Sequence, residues 1–325
     1  MPTLSQQETH LASAYVEEFA RACLGGATPS FDCIYRSSNF PETRLVLRVD
    51  AGGEAYALKI DTESPATGRL KAEFGVLQEL SAYFQANEST EVLRPIYYAP
   101  GNTFFVTEFI DRPTAVDLIY NSPDDSKVAQ VYRRAGSWLH DLHGFRDPSQ
   151  MPFWPQWMME SIRESIKTAG PAIADDTQAM MNIMRADAGR LRGKPVLRVF
   201  SHGDFHGLNL ILGQGAMIGL DFTEVIEKPA VYDIVDFLKA DVFRDERGQE
   251  LDRSGILKVN KDMFFRRYRH PIDMDILDFC IRARLLKDWL EVSGESYQPT
   301  EFETQRTQRL LHRLRLALTA PVSAG

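Results

Sequence analysis

Cysteine is scarce: Cys23, Cys33 and Cys280 are the only three in 325 residues, widely spaced and odd in number. That argues against a disulfide framework and a cysteine-rich zinc site, and fits a reducing, cytoplasmic setting. No apolar run approaches the roughly 20 residues that a membrane-spanning helix needs. The opening MPTLSQQETH has neither the basic nor the apolar part of a secretion signal. A cytoplasmic protein with no membrane partner is expected. Positive charge is also short, since 45 acidic against 37 basic side chains leave −8. That balance repels phosphate backbones, so nucleic acid is not an expected partner. There is no internal repeat, and neither G-x-x-x-x-G-K-[ST] nor G-x-G-x-x-G occurs between a strand and a helix, so no glycine-rich phosphate loop of either kind is present.

What is present is an ordinary globular composition, with 44% hydrophobic and 25% charged residues, long enough for two lobes. The first element reads as a helix, with Leu11, Tyr15 and Phe19 at four-residue steps, Thr3 or Ser5 as cap and Gly25-Gly26 as its end. Strands follow at 31–37, 43–50 and 54–60, the second alternating Leu45, Leu47 and Val49, the third after a Gly52-Gly53 turn. Residues 66–84 return to helical spacing, and two more strands are expected at 92–98 and 103–109 around Pro100-Gly101-Asn102. Beyond a hinge at 110–113 the pattern turns helical, at 126–143, 156–168, 176–191, 231–243, 273–292 and 301–318. Short strands are expected only at 196–200, 209–212 and 217–221. The fold class read from this pattern is α+β, an antiparallel sheet with one internal helix in residues 1–110 and a mostly α-helical part in 111–325.

The chemistry concentrates in Phe200-Ser201-His202-Gly203-Asp204-Phe205-His206-Gly207-Leu208-Asn209 and the later Gly219-Leu220-Asp221-Phe222. Two carboxylates and a carboxamide at strand ends and loops are able to project to one side. Asp204 suits orienting or deprotonating a hydroxyl, and Asn209 and Asp221 offer the hard oxygen ligands that Mg2+ takes when phosphates complete its shell. Upstream, Tyr56-Ala57-Leu58-Lys59-Ile60 ends a strand. In the next helix Glu73 falls within the apolar arc of Leu77 and Leu80, whereas Glu79 points away. A buried carboxylate needs a partner, and Lys59 is the natural one. The glycines of Gly213-Gln214-Gly215 lie between two apolar strands and read as a hairpin turn.

His202-Gly203-Asp204 through Asn209 resembles the HGDxxxxN catalytic loop of the aminoglycoside phosphotransferase and choline kinase family, and Asp221-Phe222 matches that family's metal-binding aspartate. The resemblance implies a bilobal protein-kinase-like fold using ATP and Mg2+ to phosphorylate a small-molecule hydroxyl acceptor. It implies Asp204 as base, Asn209 and Asp221 as metal ligands, and Lys59 on the phosphates. Tyr232-Asp233-Ile234 resembles the segment whose aspartate supports the catalytic loop, with His202 in a supporting place. Ser37, Ser38 and Asn39 resemble the family's nucleotide loop, and Thr107-Glu108-Phe109-Ile110 its adenine hinge, with Glu108 and Ile110 contributing backbone. The five residues Lys59, Glu73, Asp204, Asn209 and Asp221 are expected to converge on one metal-bound triphosphate.

Two rivals stand beside this. A kinase-shaped module that binds without transfer has no physical need for all five residues, and a metallohydrolase built on His202-x-Asp204-x-His206 leaves Lys59, Glu73 and Asp221 unexplained. Protein substrates are disfavoured because only ten residues lead from Asp221 to Val231. For the acceptor, Trp154, Trp157, Tyr268 and Trp289 offer aromatic faces to a cation. The basic run 258–270, with Lys261, Arg266, Arg267 and Arg269, fits an anionic substrate or a solvated face. The histidines of Trp138-Leu139-His140-Asp141-Leu142-His143 are expected to meet loops or solvent. A monomer or a homodimer is expected.

Overall fold

The structure is a computed structural model that describes residues 2–169, 173–222, 226–244, 248–293 and 300–322. In chain order its helices are α1 (Gln6–Cys23), α2 (Ser64–Thr67), α3 (Arg69–Phe84), α4 (Ala115–Asn121), α5 (Asp125–His143), α6 (Gln156–Thr168), α7 (Ala174–Leu191), α8 (Ala230–Leu238), α9 (Lys258–Phe265), α10 (Met274–Val292) and α11 (Glu301–Ala317). The strands are β1 (Ser30–Arg36), β2 (Arg44–Ala51), β3 (Glu54–Asp61), β4 (Thr90–Val92), β5 (Pro95–Tyr98), β6 (Phe104–Glu108), β7 (Ser149–Pro152), β8 (Pro195–Phe200), β9 (Leu210–Leu212), β10 (Met217–Gly219) and β11 (Glu227–Pro229). The chain divides into two compact units, Met1–Arg112 with Ile211–Glu224, and Pro113–Leu210 with Val225–Gly325. The segment 211–224 thus returns to the first unit, although the expected division at 110/111 leaves it in the second.

The first unit is built on an antiparallel sheet in the order β1-β2-β3-β6-β5. Strict alternation in β2 sends Leu45, Leu47 and Val49 to one face, where Leu58, Ile60, Phe104 and Val106 join them beneath Ala12, Val16 and Phe19 of α1. Ser5 caps α1 and Glu8 closes the reciprocal capping box, a device that contributes about 1 kcal/mol to a helix. On β3 and β6 the residues between these apolar ones point the other way, and Lys59 stands opposite Phe105 in register. Phe105 meets Phe74 of α3, with ring centroids 5.7 Å apart. The sheet therefore puts α1 under one face and Lys59 with α3 on the other.

Three details differ from the sequence reading. The expected helix at 66–84 begins at Arg69, because Gly68 takes φ 71° and separates α2 from α3. The expected strand at 92–98 is two, β4 and β5, broken ahead of Pro95, which has no N–H to donate. β4 pairs in parallel with β10, Thr90 opposite Met217, and β10 pairs with β9 across the turn at Gly213–Gly215.

In the second unit α5 carries a long buried stripe from Val128 to His143. At Gly136 a Cβ would collide with the Phe264 carbonyl, so only glycine lets the α9 backbone approach α5 this closely. β7, β8 and β11 form a small antiparallel sheet. Elements α4, β7, β11 and α9 lie outside the expected set, and the expected helix at 231–243 ends as α8 at Leu238 and continues as a 3-10 turn to Phe243. The basic run is neither a solvated face nor an anion site throughout, because its first half is α9 and Lys261 is buried against Asp252 and Asp278. Nearby, Arg313, fully buried, pairs with Asp241 at 2.6 Å. Of the ten residues after Asp221, 223–225 lie outside the described ones. All three cysteines are free. Among the described residues no helix is long and apolar enough to cross a membrane.

Candidate active site

In the first unit Lys59 reaches from the centre of the sheet to two carboxylates. Its Nζ lies 2.6 Å from Glu73 Oε1 and 2.7 Å from Asp221 Oδ1. Glu73 comes from the buried arc of α3, only 2% exposed, while Glu79 on the same helix is exposed. Burial pulls the Lys59 ammonium down, but Glu73 and Asp221 more than offset this and the net shift is upward, so the side chain stays charged. Burial also raises the Glu73 carboxyl, with Lys59 drawing it part of the way back. Glu73 Oε2 is buried with no hydrogen-bond partner. The contact with Lys59 is therefore what favours the charged form of this carboxylate. Asp221 follows β10 with φ 65°, a left-handed conformation that costs a side-chain-bearing residue roughly 1 kcal/mol. Its side chain is 37% exposed, far more than Glu73.

In the second unit β8 runs into the loop that carries Asp204. Asp233, near the start of α8 and 1% exposed, accepts from Ser201 Oγ at 2.9 Å and from the backbone N–H groups of His202 at 2.8 Å and Gly203 at 3.0 Å. Gly203 has φ 84°, which a residue with a Cβ adopts only under strain. His143 Nε2 lies 3.1 Å from it, so four donors among the described residues converge on Asp233. Burial alone would raise the Asp233 carboxyl, but the bonds from His143 and its neighbours leave it below the usual range. Burial lowers His143, which is therefore neutral. The carboxylate can only accept, so the network assigns the proton to Nε2 and leaves Nδ1 to accept from the Tyr268 hydroxyl at 2.8 Å.

His143 is a correction to the expectation that this histidine meets loops or solvent. Its signal was there, because it continues the four-residue steps of Ala135 and Leu139 along the buried face of α5. Ser201 and Tyr268 carried no such mark.

Asp204 itself is half-exposed and stands 3.3 Å from His206 Nε2. The hydrogen bond to His206 is the main cause that holds its carboxyl below the ordinary value, so it is ionised at neutral pH. Asn209 is buried, and its Nδ2 donates to the Asp204 carbonyl at 2.9 Å. His202 is packed against Trp138 and Phe205, and its Nδ1 receives the Asp204 N–H at 3.4 Å. That ring is a packed support for the loop.

The other expected residues lie in the first unit. Ser37 Oγ accepts the Phe40 N–H at 3.2 Å, while Ser38 and Asn39 are exposed at the tip of the turn. Glu108 ends β6 and is tied to Arg94 through backbone and carboxylate, and the Ile110 carbonyl accepts from the Arg112 N–H at 3.1 Å. Of the four aromatic faces, Tyr268 and Trp289 are core, which removes them as cation platforms. Trp154 and Trp157 are exposed, and the Trp157 indole donates to Tyr232 at 3.1 Å.

Each unit taken by itself offers oxygen donors of the kind a hard divalent cation takes. With Nδ2 of Asn209 committed to Asp204, the Asn209 carbonyl oxygen is the atom left to ligate in the second unit, and in the first the partly exposed Asp221 offers a carboxylate beside Lys59.

The model of the phosphotransferase enzyme family, APH, matches residues 42–257, two thirds of the sequence. The chain belongs to the phosphotransferase enzyme family. It is thus a kinase-like enzyme of phosphoryl transfer to small molecules, and its fold agrees. A spectinomycin phosphotransferase solved with ADP and spectinomycin is similar at a TM-score of 0.58 and 12% identity, covering 98% of this chain and 99% of that one. A choline/ethanolamine kinase family protein from Mesorhizobium loti gives 0.58 at 15% identity over 98% and 99%. A glucosamine kinase gives 0.56 at 16% identity over 95% and 83%. No curated protein matches the sequence. At these identities the likeness to the solved structures is one of fold.

Proposed function

We propose that this phosphotransferase moves the γ-phosphoryl group of ATP, with Mg2+, to a hydroxyl of a small molecule. The observation that carries the reading is the pairing of Lys59 with both Glu73 and Asp221, from three separate segments of the chain. The buried Lys261 also has two carboxylates, but Lys59 and Asp221 both stay partly exposed. Two around one lysine, the second on a left-handed backbone, suit a site that exchanges partners when a polyanion arrives.

Lys59 would leave Asp221 for the nucleotide phosphates while Glu73 keeps the ammonium oriented. Asn209 and Asp221 would hold Mg2+, which when bound neutralises charge on the phosphates and aligns them. Asp204 would accept a hydrogen bond from the acceptor hydroxyl and take its proton as that oxygen bonds to the γ-phosphorus and the bond from the γ-phosphorus to the β-phosphate oxygen breaks, releasing ADP. Its low pKa suits orientation more than strong basicity, which is what a loose phosphoryl transition state requires. Asp233 would keep the loop in place through the backbone at His202 and Gly203. Ser37, Ser38 and Asn39 would cover the phosphates, and the backbone at Glu108 and Ile110 would receive the adenine.

The test has two parts. A Mg2+-dependent thermal shift with ATP is expected first, and ATP consumption with mass gain of one phosphate is expected over a panel of aminoglycosides, choline-like amines, amino alcohols, sugars and nucleosides. ATP binding without transfer to any hydroxyl compound would favour a binding module instead. Absence of any nucleotide binding would sink the reading altogether.

A further inference from the structure

The turn between β1 and β2 runs Arg36-Ser37-Ser38-Asn39-Phe40-Pro41 without a glycine, so side chains must set its shape. Arg36, the last residue of β1, does most of this. Its Nη1 donates to Glu8 Oε1 at 2.6 Å and to the Pro41 carbonyl at the far end of the turn. Its Nη2 donates to Glu8 Oε2 and to the Thr3 carbonyl, each at 3.1 Å. Glu8 is the third residue of α1, and its carboxylate also accepts the Ser5 N–H at 2.7 Å. The hydrogen bond from Arg36 is the largest cause that lowers Glu8 to about 2. One guanidinium thus joins the start of α1, the end of β1 and the exit of the turn. The exit is braced again by Arg44, which lies over the Phe40 ring at 3.7 Å. Ser38, Asn39 and Phe40 at the tip are exposed, as is Pro41 after them. The family match begins at residue 42, so this clamp stands ahead of the part the family model describes.

We propose that the Arg36–Glu8 clamp is a positioning device that pre-forms the phosphate-covering turn, making α1 a working part of nucleotide binding. This rests on the reading that residues 37–39 meet the phosphates. With its charge spent on Glu8 and its donors on three acceptors, Arg36 acts as a strut for that turn. A turn fixed at both ends loses less freedom when phosphates dock, so more of the contact energy appears as affinity. On that reading the turn serves the phosphates, so the effect is expected to fall on them and not on ribose and base.

Calorimetric titration of the full-length protein with Mg-ATP and with adenosine tests this in wild type, Arg36→Ala, Glu8→Ala and the double variant, with Lys59→Met as a control. Each single variant is expected to weaken Mg-ATP about tenfold, the double no further, because the two residues act as one unit. Adenosine affinity is expected to stay unchanged. Wild-type affinity for Mg-ATP in both single variants, while Lys59→Met loses it, overturns the clamp and leaves the nucleotide reading standing. Equal losses for ATP and adenosine assign the pair to general folding and overturn it too. A wild type that binds neither compound overturns both readings. Should Arg36→Ala not fold, Glu8→Gln keeps an acceptor for Ser5 and carries the same phosphate-selective loss at smaller amplitude.

Discussion

In the first unit Lys59 is held by two charged contacts and stays 20% exposed. In the second, Asp233 is sealed and receives four hydrogen bonds, two of them from the backbone of the loop that bears Asp204. A contact between opposite charges at a partly open position yields to a stronger polyanion, whereas a buried acceptor serving backbone donors has no competitor that could replace it. The first arrangement suits a group that must change partners in each cycle, the second a frame that must not move. The aspartates show the same contrast, since Asp221 is over a third exposed on a strained backbone and Asp233 is enclosed.

Substitutions in each half sharpen this contrast. The largest effect is expected for Asp204→Ala, a loss of roughly 10³-fold in kcat with Mg-ATP affinity retained. Coupled turnover assays and calorimetry on the same sample check it, and near-normal turnover would refute the proposed base. Asp233→Ala leaves two backbone N–H groups, Ser201 Oγ and His143 without their acceptor. It is expected to lower stability by about 3 kcal/mol in urea unfolding. A change within error would mean that the loop frame is not what holds the second half. Lys59→Met is expected to weaken Mg-ATP by roughly 30-fold and to disturb folding less than Asp233→Ala, since Glu73 can take up a proton once its cation is gone. If it unfolds the protein instead, the first half is structural and the contrast fails.

The smallest effect is a pH slope. Burial holds His143 below its ordinary 6.5 in the folded chain, so the unfolded chain binds a proton that the folded one refuses. Stability therefore falls as pH drops below about 6.5. His143→Gln is expected to flatten that limb when urea midpoints are compared at pH 7.5 and 5.5. Asp233, whose carboxyl is lowered, contributes stability that is lost only as pH falls below about 4, so the two limbs are separable.

Much of this was legible in short-range pattern. The alternation of β2, the outward place of Lys59 between Leu58 and Ile60, and the inward place of Glu73 among Leu77 and Leu80 all follow from strand and helix periods. Gly203 was legible as part of a motif, and its φ gives the physical reason. What periodicity could not supply were pairings between distant segments. His143 meets Tyr268 across 125 positions, and Lys261 reads as one more surface cation until Asp252 and Asp278 close on it. The seven residues of α4 are too few to show a period, and their start rests on a Thr114 cap that only the folded chain identifies.

The return of segment 211–224 to the first unit bears on how the chain is made. A ribosome releases Lys59 and Glu73 early, but Asp221 and the strand that lies beside β4 emerge only after all of Pro113–Leu210. Until then the sheet edge at β4 lacks its neighbour and the lysine has one carboxylate instead of two. The first unit therefore cannot finish folding during its own synthesis. A fragment ending at Arg112 is expected to be an incomplete body, recovered by adding the later segment in trans but not by more time.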